Sequence, residues 1–188
     1  MIKIGITGSL ASGKTTASKI ISKKNGPLFS ADKVVKKLYV QEKFKKLVSK
    51  KLNFKLSSDF KSQVKEKIFK KKINLKKLEK IIHPAVRKEM KLFIKKNKNK
   101  KYIFCEIPLL VESKLYKYFD KTIFIKSNIN IRLLRYKKKG GTFKLFSLLN
   151  NRQLADGKKM KFCDHVVVNN RTISVLKNKL LNIINIYD

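Results

Sequence analysis

Short runs of consecutive apolar residues, rich in β-branched side chains, recur along the chain and predict five β-strands. Within each run the apolar residues are continuous rather than alternating with polar ones, which is typical of parallel strands covered on both faces. The predicted strands are Ile2–Thr7, Pro27–Ser30, Tyr102–Ile107, Lys121–Ile125 and His165–Asn169. We therefore expect a five-stranded parallel sheet with helices on both sides.

Helical spacing fills much of the sequence between these runs. In Leu75–Lys96 apolar residues recur every three or four positions, and Ile173–Ile186 repeats this spacing. Strands that alternate with helices predict a three-layer α/β fold with right-handed crossovers. At 188 residues the chain has the length of one domain with a substantial core.

Two stretches depart from this alternation. Residues 38–100 are all helical in pattern and are longer than a single crossover needs. We expect a helical insertion there that recognises a substrate. The second stretch, Lys137–Thr142, is a basic turn with paired glycines. It is equally typical of a mobile lid and of a solvated turn between two helices.

The composition is strongly basic, with a formal net charge of +36. Basic surfaces bind nucleic acid through counterion release, but only five of the 48 basic residues are Arg, and the chain is also rich in Asn, Ile and Phe. This joint bias is typical of A- and T-rich codons rather than of a selected basic patch. The lysines also lack the interleaved aromatic residues of single-strand binders, so we expect no nucleic-acid partner. A diffuse positive field still favours polyanionic small substrates.

The two cysteines, Cys105 and Cys163, lie in or beside apolar runs, as buried side chains in a reducing compartment do. The cysteines and the two histidines lie far apart and give no metal-ligand spacing. The first strand begins at the N-terminus, and no apolar run approaches the length of a membrane span. We expect a cytosolic protein without a membrane partner, and the pattern does not indicate its oligomeric state.

Residues 8–15 match the pattern G-x-x-x-x-G-K-[ST] and lie between a predicted strand and a predicted helix. In this context the pattern predicts a phosphate-binding loop (P-loop), whose backbone N–H groups surround an anion at a helix N-terminus. Lys14 is expected to reach the β- and γ-phosphates, and the Thr15 hydroxyl to ligate Mg²⁺. A plain Gly/Ser-rich turn is disfavoured because the motif is complete. The residues expected to bind a nucleoside triphosphate are Ser9, Leu10, Ala11, Ser12, Gly13, Lys14, Thr15 and Thr16.

Three carboxylates lie at or just beyond the carboxyl ends of predicted strands, where open α/β folds bind their ligands. Asp32 is expected either to accept the proton of an attacking hydroxyl or to N-cap the helix Lys33–Tyr39. Glu106 ends an apolar strand, an arrangement that suits an Mg²⁺ ligand. Glu112 is either a second acid of this site or a surface carboxylate.

Arg132 and Arg135 lie three residues apart on a predicted helix and therefore share a face. In a chain this poor in arginine, the pair suggests bidentate phosphate contacts that lysine supplies less well. Arg135 is the candidate for a catalytic role, although either arginine could equally lie on the surface.

The chain resembles the dephospho-CoA kinases along nearly its whole length. The motifs that carry the resemblance are the P-loop with its preceding strand, Ser30–Lys33, a helix ending in His83-Pro84, the signature Glu106–Ser113, and the spaced series Gln153, Lys159, Asp164 and Asn169. The P-loop is generic among kinases, whereas the ordered set is specific. Two departures stand out: Ser9 replaces a usual glycine, and Lys137–Lys139 occupy the stretch where the lid usually has Arg.

The resemblance implies transfer of the γ-phosphate of ATP to the ribose 3′-hydroxyl of dephospho-CoA, the last step of coenzyme A synthesis. It implies a P-loop kinase fold with a helical CoA-binding insertion within residues 38–100 and a small lid near residues 136–150. The small-molecule substrates would be ATP and dephospho-CoA, with Mg²⁺ as the metal.

The same resemblance assigns roles to individual residues. Asp32 would be the base that receives the ribose hydroxyl proton. The residues implied at the substrate are Asp32, His83, Leu109 and Glu112, and those implied at the metal are Thr15 and Glu106. Because phosphoryl transfer from ATP needs no histidine, His83 is expected to be structural or to shape the substrate site.

Two other functions stay open at this point. A nucleoside or nucleotide kinase would use the same core but would want an Arg-rich acceptor site, and residues 38–80 contain no Arg. A nucleic-acid-dependent P-loop ATPase would need a motor-type coupling apparatus or a second domain, for which 188 residues leave little room.

Overall fold

The computed structural model describes residues 1–188 except for the side chain of Lys72. The chain forms two compact units, one made of Met1–Ser30 and Asn97–Asp188, the other of Ala31–Lys96. Among the described residues, no helix combines the length and the apolar surface that crossing a bilayer requires.

The first unit contains a five-stranded parallel sheet. Its strands are β1 (Ile2–Gly8), β2 (Leu28–Ser30), β3 (Tyr102–Glu106), β4 (Lys121–Lys126) and β5 (His165–Val168). They lie in the order β2-β3-β1-β4-β5, and all neighbours are parallel. Each predicted strand is confirmed to within one residue at either end. The order places β1 in the centre, so that the loop after it opens between its two neighbours.

Helices cover this sheet. Those of the first unit are α1 (Lys14–Asn25), α6 (Ile129–Lys137), α7 (Phe143–Asn150), α8 (Asp156–Met160) and α9 (Ile173–Asn185), with a 3-10 helix at Leu115–Tyr118. The apolar stripe of α9 packs with α1 and with alternate side chains of β1, forming the largest described cluster of the core, which includes Ile4, Ile6, Ile21, Leu176 and Leu180. The predicted C-terminal helix is confirmed.

The second unit consists of the helices α2 (Ala31–Leu38), α3 (Glu42–Leu52), α4 (Phe60–Lys70) and α5 (Lys72–Lys96). It has an apolar core of its own, formed by Phe44, Val48, Leu52, Phe60, Val64 and Leu78. Aromatic rings meet at its centre, since the ring centroids of Tyr39 and Phe60 lie 5.6 Å apart in an edge-on arrangement. That residues 38–100 bind CoA stays a prediction.

The resemblance led us to expect that helix α5 ends at His83-Pro84, but the helix does not end there. Pro84 lies inside it, and the helix continues to Lys96. Proline removes one N–H donor and crowds the carbonyl four residues earlier, which usually ends or kinks a helix. Here the apolar stripe continues beyond the proline, and Val86 and Met90 are buried. Burial of that stripe offsets the local cost of the proline.

Candidate active site

Both glycines of the P-loop adopt conformations that other residues avoid. Gly8 has a φ of +153° and Gly13 a φ of +95°. Close neighbours add a second requirement: a Cβ on Gly8 would lie 2.4 Å from the carbonyl oxygen of Ile125, and a Cβ on Gly13 would lie 2.2 Å from Nδ2 of Asn169. The loop therefore depends on glycine at these positions for space as well as for backbone freedom.

Helix α1 begins directly after Gly13, at Lys14, with no acidic residue in its first turn and no side chain capping its N-terminus. The first N–H groups of a helix have no acceptor within it, and the helix dipole makes this end positive. Nζ of Lys14 donates to the carbonyl oxygen of Ser9 at 2.8 Å, which holds the ammonium against the loop. This end of α1 is suited to bind an anion.

Two carbonyl groups of the loop accept hydrogen bonds from distant side chains. Nδ2 of Asn169 and Nη1 of Arg135 both donate to the carbonyl oxygen of Ser12, at 2.9 and 3.3 Å. Nη1 of Arg132 donates to the carbonyl oxygen of Leu10 at 3.3 Å. These contacts hold the loop in one conformation, which leaves the N–H groups that are not bonded within the protein ready for a phosphate.

We expect Gly13→Ala to lower the melting temperature and to weaken ATP binding at least tenfold. A Cβ at this φ costs about 1–2 kcal/mol, and the clash must also displace the Asn169 amide from the loop. Gly140→Ala is the matched control, because Gly140 has a φ of +81° but no atom within 4 Å of its Cβ position. Isothermal titration calorimetry and thermal melts would compare the two variants. Equal losses in both would contradict a specific role for the Gly13–Asn169 approach.

Arg132 is a buried residue, so the alternative of a surface position is wrong for it. Its guanidinium also donates to Oδ1 of Asn150 at 2.7 Å. Burial lowers the pKa of Arg132 from its ordinary value, and the nearby carboxylate of Asp156 opposes that shift. Arginine nevertheless stays charged, because its unperturbed pKa lies so far above neutrality.

Arg135 is half-buried and lies beneath the loop. Besides Ser12, its guanidinium donates to Oγ of Ser127 at 3.3 Å and to the carbonyl oxygen of Asn169 at 3.1 Å. These contacts fix the loop rather than present the guanidinium to a ligand. The catalytic role predicted for Arg135 stays a prediction.

The two residues expected at the metal lie together. Oγ1 of Thr15 donates to Oε1 of Glu106 at 2.6 Å, and Glu106 is only 2% exposed. A hydroxyl and a carboxylate are hard oxygen ligands that suit Mg²⁺. Within residues 1–188 as described, no three His, Cys, Asp or Glu side chains cluster as metal ligands. An Mg²⁺ ion here would therefore depend on phosphate and water oxygens as well, as it commonly does.

Asp32 lies in the first turn of α2, which already begins at Ala31. The alternative that Asp32 caps this helix is therefore wrong, because a cap precedes the first helical residue. In the first turn a carboxylate is still favoured by the helix dipole. Asp32 comes two residues after Ser30, which is in register with Glu106 on the neighbouring strand. Its role as a base stays a prediction.

Glu112 is not the surface carboxylate that one alternative supposed. Its side chain is 17% exposed, and Oε1 accepts from Nζ of Lys159 at 2.6 Å and from the backbone N–H of Leu154 at 3.2 Å. Leu109 lies in the turn after β3, where its carbonyl oxygen accepts from Oγ of Ser113 at 2.6 Å. Their roles at the substrate stay predictions.

His83 lies on α5, and partial burial lowers the pKa of its imidazole, with the charge of Arg87 acting in the same direction against that of Glu79. The imidazole is therefore neutral at physiological pH. A neutral ring suits the structural or substrate-shaping role expected of it.

Two further residues beside the loop, Asp156 and Asn150, were not predicted from the sequence. The Ser9 hydroxyl donates to Oδ1 of Asp156, so that the serine in place of the family's glycine ties the loop to α8. Oδ1 of Asn150 accepts from Nη1 of Arg132. No local pattern marks Asp156 or Asn150, because their partners are distant in sequence. Lys159, which belongs to the series that carries the resemblance, is fully buried.

Both cysteines are free thiols. Burial raises the pKa of Cys105 to about 12 and is also the main reason that the pKa of Cys163 rises to about 11. They are neutral at physiological pH, and neither is suited to act as a nucleophile there.

Comparison with known proteins identifies the family. The family model described as dephospho-CoA kinase matches residues 2–174. The chain belongs to the dephospho-CoA kinase family. A dephospho-CoA kinase of Fusobacterium nucleatum is 33% identical over 94% of this chain and 94% of its own length. One from Bartonella henselae is 30% identical over 96% and 95%.

Solved structures agree on the fold of this family. A dephospho-CoA kinase from Campylobacter jejuni has a TM-score of 0.67 at 24% identity, covering 97% of this chain and 95% of its own. A shikimate kinase from Acinetobacter baumannii, solved with shikimate, has a TM-score of 0.59 at 13% identity, covering 100% and 95%. The predicted P-loop kinase fold is confirmed. The protein is a kinase of a family that uses ATP as a substrate and completes coenzyme A synthesis.

Proposed function

We propose that this protein transfers the γ-phosphoryl group of ATP to the ribose 3′-hydroxyl of dephospho-CoA, which yields coenzyme A. The observation that carries this proposal is the match to the dephospho-CoA kinase family over residues 2–174. It extends through the sheet, the P-loop and the helices of the second unit, and therefore includes much more than a generic nucleotide site.

The P-loop binds the triphosphate of ATP in this proposal. The N–H groups of the loop that have no acceptor within the protein, together with the N-terminus of α1, stabilise the phosphate oxygens. Lys14 lies against the β- and γ-phosphates and follows the charge that develops during transfer. Phosphoryl transfer asks the protein mainly for positioning and for such electrostatic stabilisation.

Thr15 and Glu106 hold Mg²⁺ in this proposal, which their 2.6 Å contact and their oxygen chemistry support. The cation supplies charge neutralisation at the β- and γ-phosphates. Glu106 is buried at the end of β3, so its carboxylate is held in one place by the sheet.

On the acceptor side, Asp32 accepts the proton of the 3′-hydroxyl group. The oxygen of that hydroxyl forms a bond to the γ-phosphorus, while the bond from the γ-phosphorus to the β,γ-bridging oxygen breaks. ADP leaves with that bridging oxygen. Glu112 accepts a hydrogen bond from the acceptor, and Leu109 and His83 shape its site.

Two larger segments complete the proposal. The helices within residues 38–100 bind the CoA part of the acceptor, and the segment near residues 136–150, with the basic turn Lys137–Lys139, acts as a lid. The lysines of that turn attract the phosphates of ATP as point charges and do not form bidentate contacts with them.

A cytosolic location fits this metabolic role and stays a prediction.

An ATP-consumption assay tests the proposed function. The purified protein would be given dephospho-CoA, a panel of nucleosides and nucleotides, or single-stranded RNA, and the product would be identified by mass spectrometry and phosphorus NMR. We expect turnover with dephospho-CoA and a new 3′-phosphate. Turnover with a nucleotide acceptor alone, or only with RNA, would refute the proposal.

We expect Thr15→Val and Glu106→Gln each to raise the Mg²⁺ concentration needed for half-maximal rate by about tenfold, since each removes or weakens one ligand. Thr15→Ser keeps the hydroxyl and is the matched control, with a requirement close to that of the wild type. The measurement is the initial rate against Mg²⁺ concentration at saturating ATP. An unchanged requirement in both Val and Gln variants would remove these residues from the metal site.

A further inference from the structure

Lys159 is a cation with no exposed surface. It lies on α8, and its relative exposure is 0%, whereas Lys158 beside it is exposed. Burying an ammonium group is costly unless it is paired and hydrogen-bonded. The partners of Lys159 therefore indicate what its burial is for.

The ammonium of Lys159 joins two side chains. Nζ lies 2.6 Å from Oε1 of Glu112 and 3.5 Å from Oε1 of Gln153. The same oxygen of Gln153 accepts from the backbone N–H of Leu10, in the P-loop, at 3.0 Å. A continuous set of polar contacts thus runs from Glu112 through Lys159 and Gln153 to the P-loop.

Glu112 has one acceptor left over. Its Oε2 is buried and has no hydrogen-bond partner among the described residues. A buried carboxylate oxygen without a donor is unfavourable in the free protein and is satisfied when a ligand brings a donor to it. Because Lys159 binds Oε1, it determines which oxygen of Glu112 is left to accept.

We infer that Lys159 is a positioning residue that acts on both substrates. Through Gln153 it fixes the P-loop for ATP, and through Glu112 it orients the oxygen that accepts from a donor group of the phosphoryl acceptor. The second part rests on the proposed function, because it needs dephospho-CoA to be that acceptor. The first part depends only on ATP binding.

The test compares Lys159→Met, the double variant Glu112→Gln/Lys159→Met, and Lys158→Met as a matched surface control. Calorimetry gives the Kd of ATP without acceptor, steady-state kinetics give KM for dephospho-CoA, and thermal melts give stability. In Lys159→Met we expect a lower melting temperature. We also expect the Kd of ATP and the KM for dephospho-CoA each to rise about tenfold, the size associated with one hydrogen bond to a charged group. Lys158→Met should match the wild type in all three.

The double variant separates positioning from mere stability. It removes the uncompensated buried charge, so we expect its melting temperature to return towards that of the wild type. The Kd of ATP should stay raised, because Gln153 still lacks its cation. Recovery of wild-type ATP affinity along with stability would overturn the inference.

The same measurements distinguish this inference from the proposed function. If Lys159→Met does not fold, the ATP affinity of the double variant tests the inference by itself: a raised Kd supports it, and a Kd equal to that of the wild type contradicts it. If the wild type does not phosphorylate dephospho-CoA, the proposed function fails, whereas the ATP measurements still test whether Lys159 positions the P-loop.

Discussion

Replacing Asp32 by Asn is expected to lower kcat by about two to four orders of magnitude, the usual contribution of a positioned acid or base. An amide has the shape of the carboxylate but cannot receive the proton of the ribose hydroxyl. Since Asp32 lies in the first turn of α2 rather than at its cap, the change should cost only about 0.3–1 kcal/mol of stability through the helix dipole. Single-turnover kinetics with dephospho-CoA would measure the chemical step directly.

Asp59→Asn is the control for this experiment, because Asp59 lies at the start of α4 and its substitution changes the charge by the same amount. Its kcat should stay near that of the wild type, as should the ATP affinity of both variants. Near-normal kcat in Asp32→Asn would refute the base role and turn attention to Glu106 and Glu112.

Lys14→Ala is expected to reduce kcat at least about a hundredfold, because it removes the cation that follows the migrating charge. It also removes the hydrogen bond from Nζ to the carbonyl oxygen of Ser9, which holds the loop in shape. Weaker ATP binding should therefore accompany the slower transfer. Rates at saturating ATP, together with the Kd of ATP, separate the two losses.

Lys19→Ala is its matched control, since Lys19 is an exposed lysine on the same helix. It should retain nearly full activity, which shows that the effect does not come from the loss of one positive charge among many. More than about a tenth of wild-type kcat in Lys14→Ala would be incompatible with the P-loop assignment.

The sheet was predictable because its strands form continuous apolar runs, including β5, where Val166 and Val168 are exposed. The P-loop was predictable because its chemistry is local: two glycines, a lysine and a hydroxyl residue within eight positions. The end of α5 was misplaced by the resemblance and not by the periodicity, because the apolar spacing of Leu75–Lys96 already continues past Pro84, as the helix does.

The contacts behind the P-loop could not be predicted in the same way. The resemblance includes Lys159 in its spaced series, but only the tertiary fold shows that Lys159 is buried while its neighbour Lys158 is exposed. Asp156 reaches Ser9 across most of the sequence. Arg135 shows the opposite case: the scarcity of arginine drew attention to it, but the oxygens it binds include the carbonyls of Ser12 and Asn169.

The central position of β1 has a consequence for how the chain is made. Ile4 pairs with Phe104 on one side and with Lys121 on the other. The strand that is synthesised first therefore forms its hydrogen bonds in the sheet only after both neighbouring strands have been synthesised. The P-loop gains its hydrogen bond from Asn169 to the carbonyl oxygen of Ser12 later still. On the ribosome, the apolar core of the second unit can form while the nucleotide pocket is still incomplete. ATP is therefore expected to stabilise a chain that ends before Asn169 less than it stabilises the whole chain.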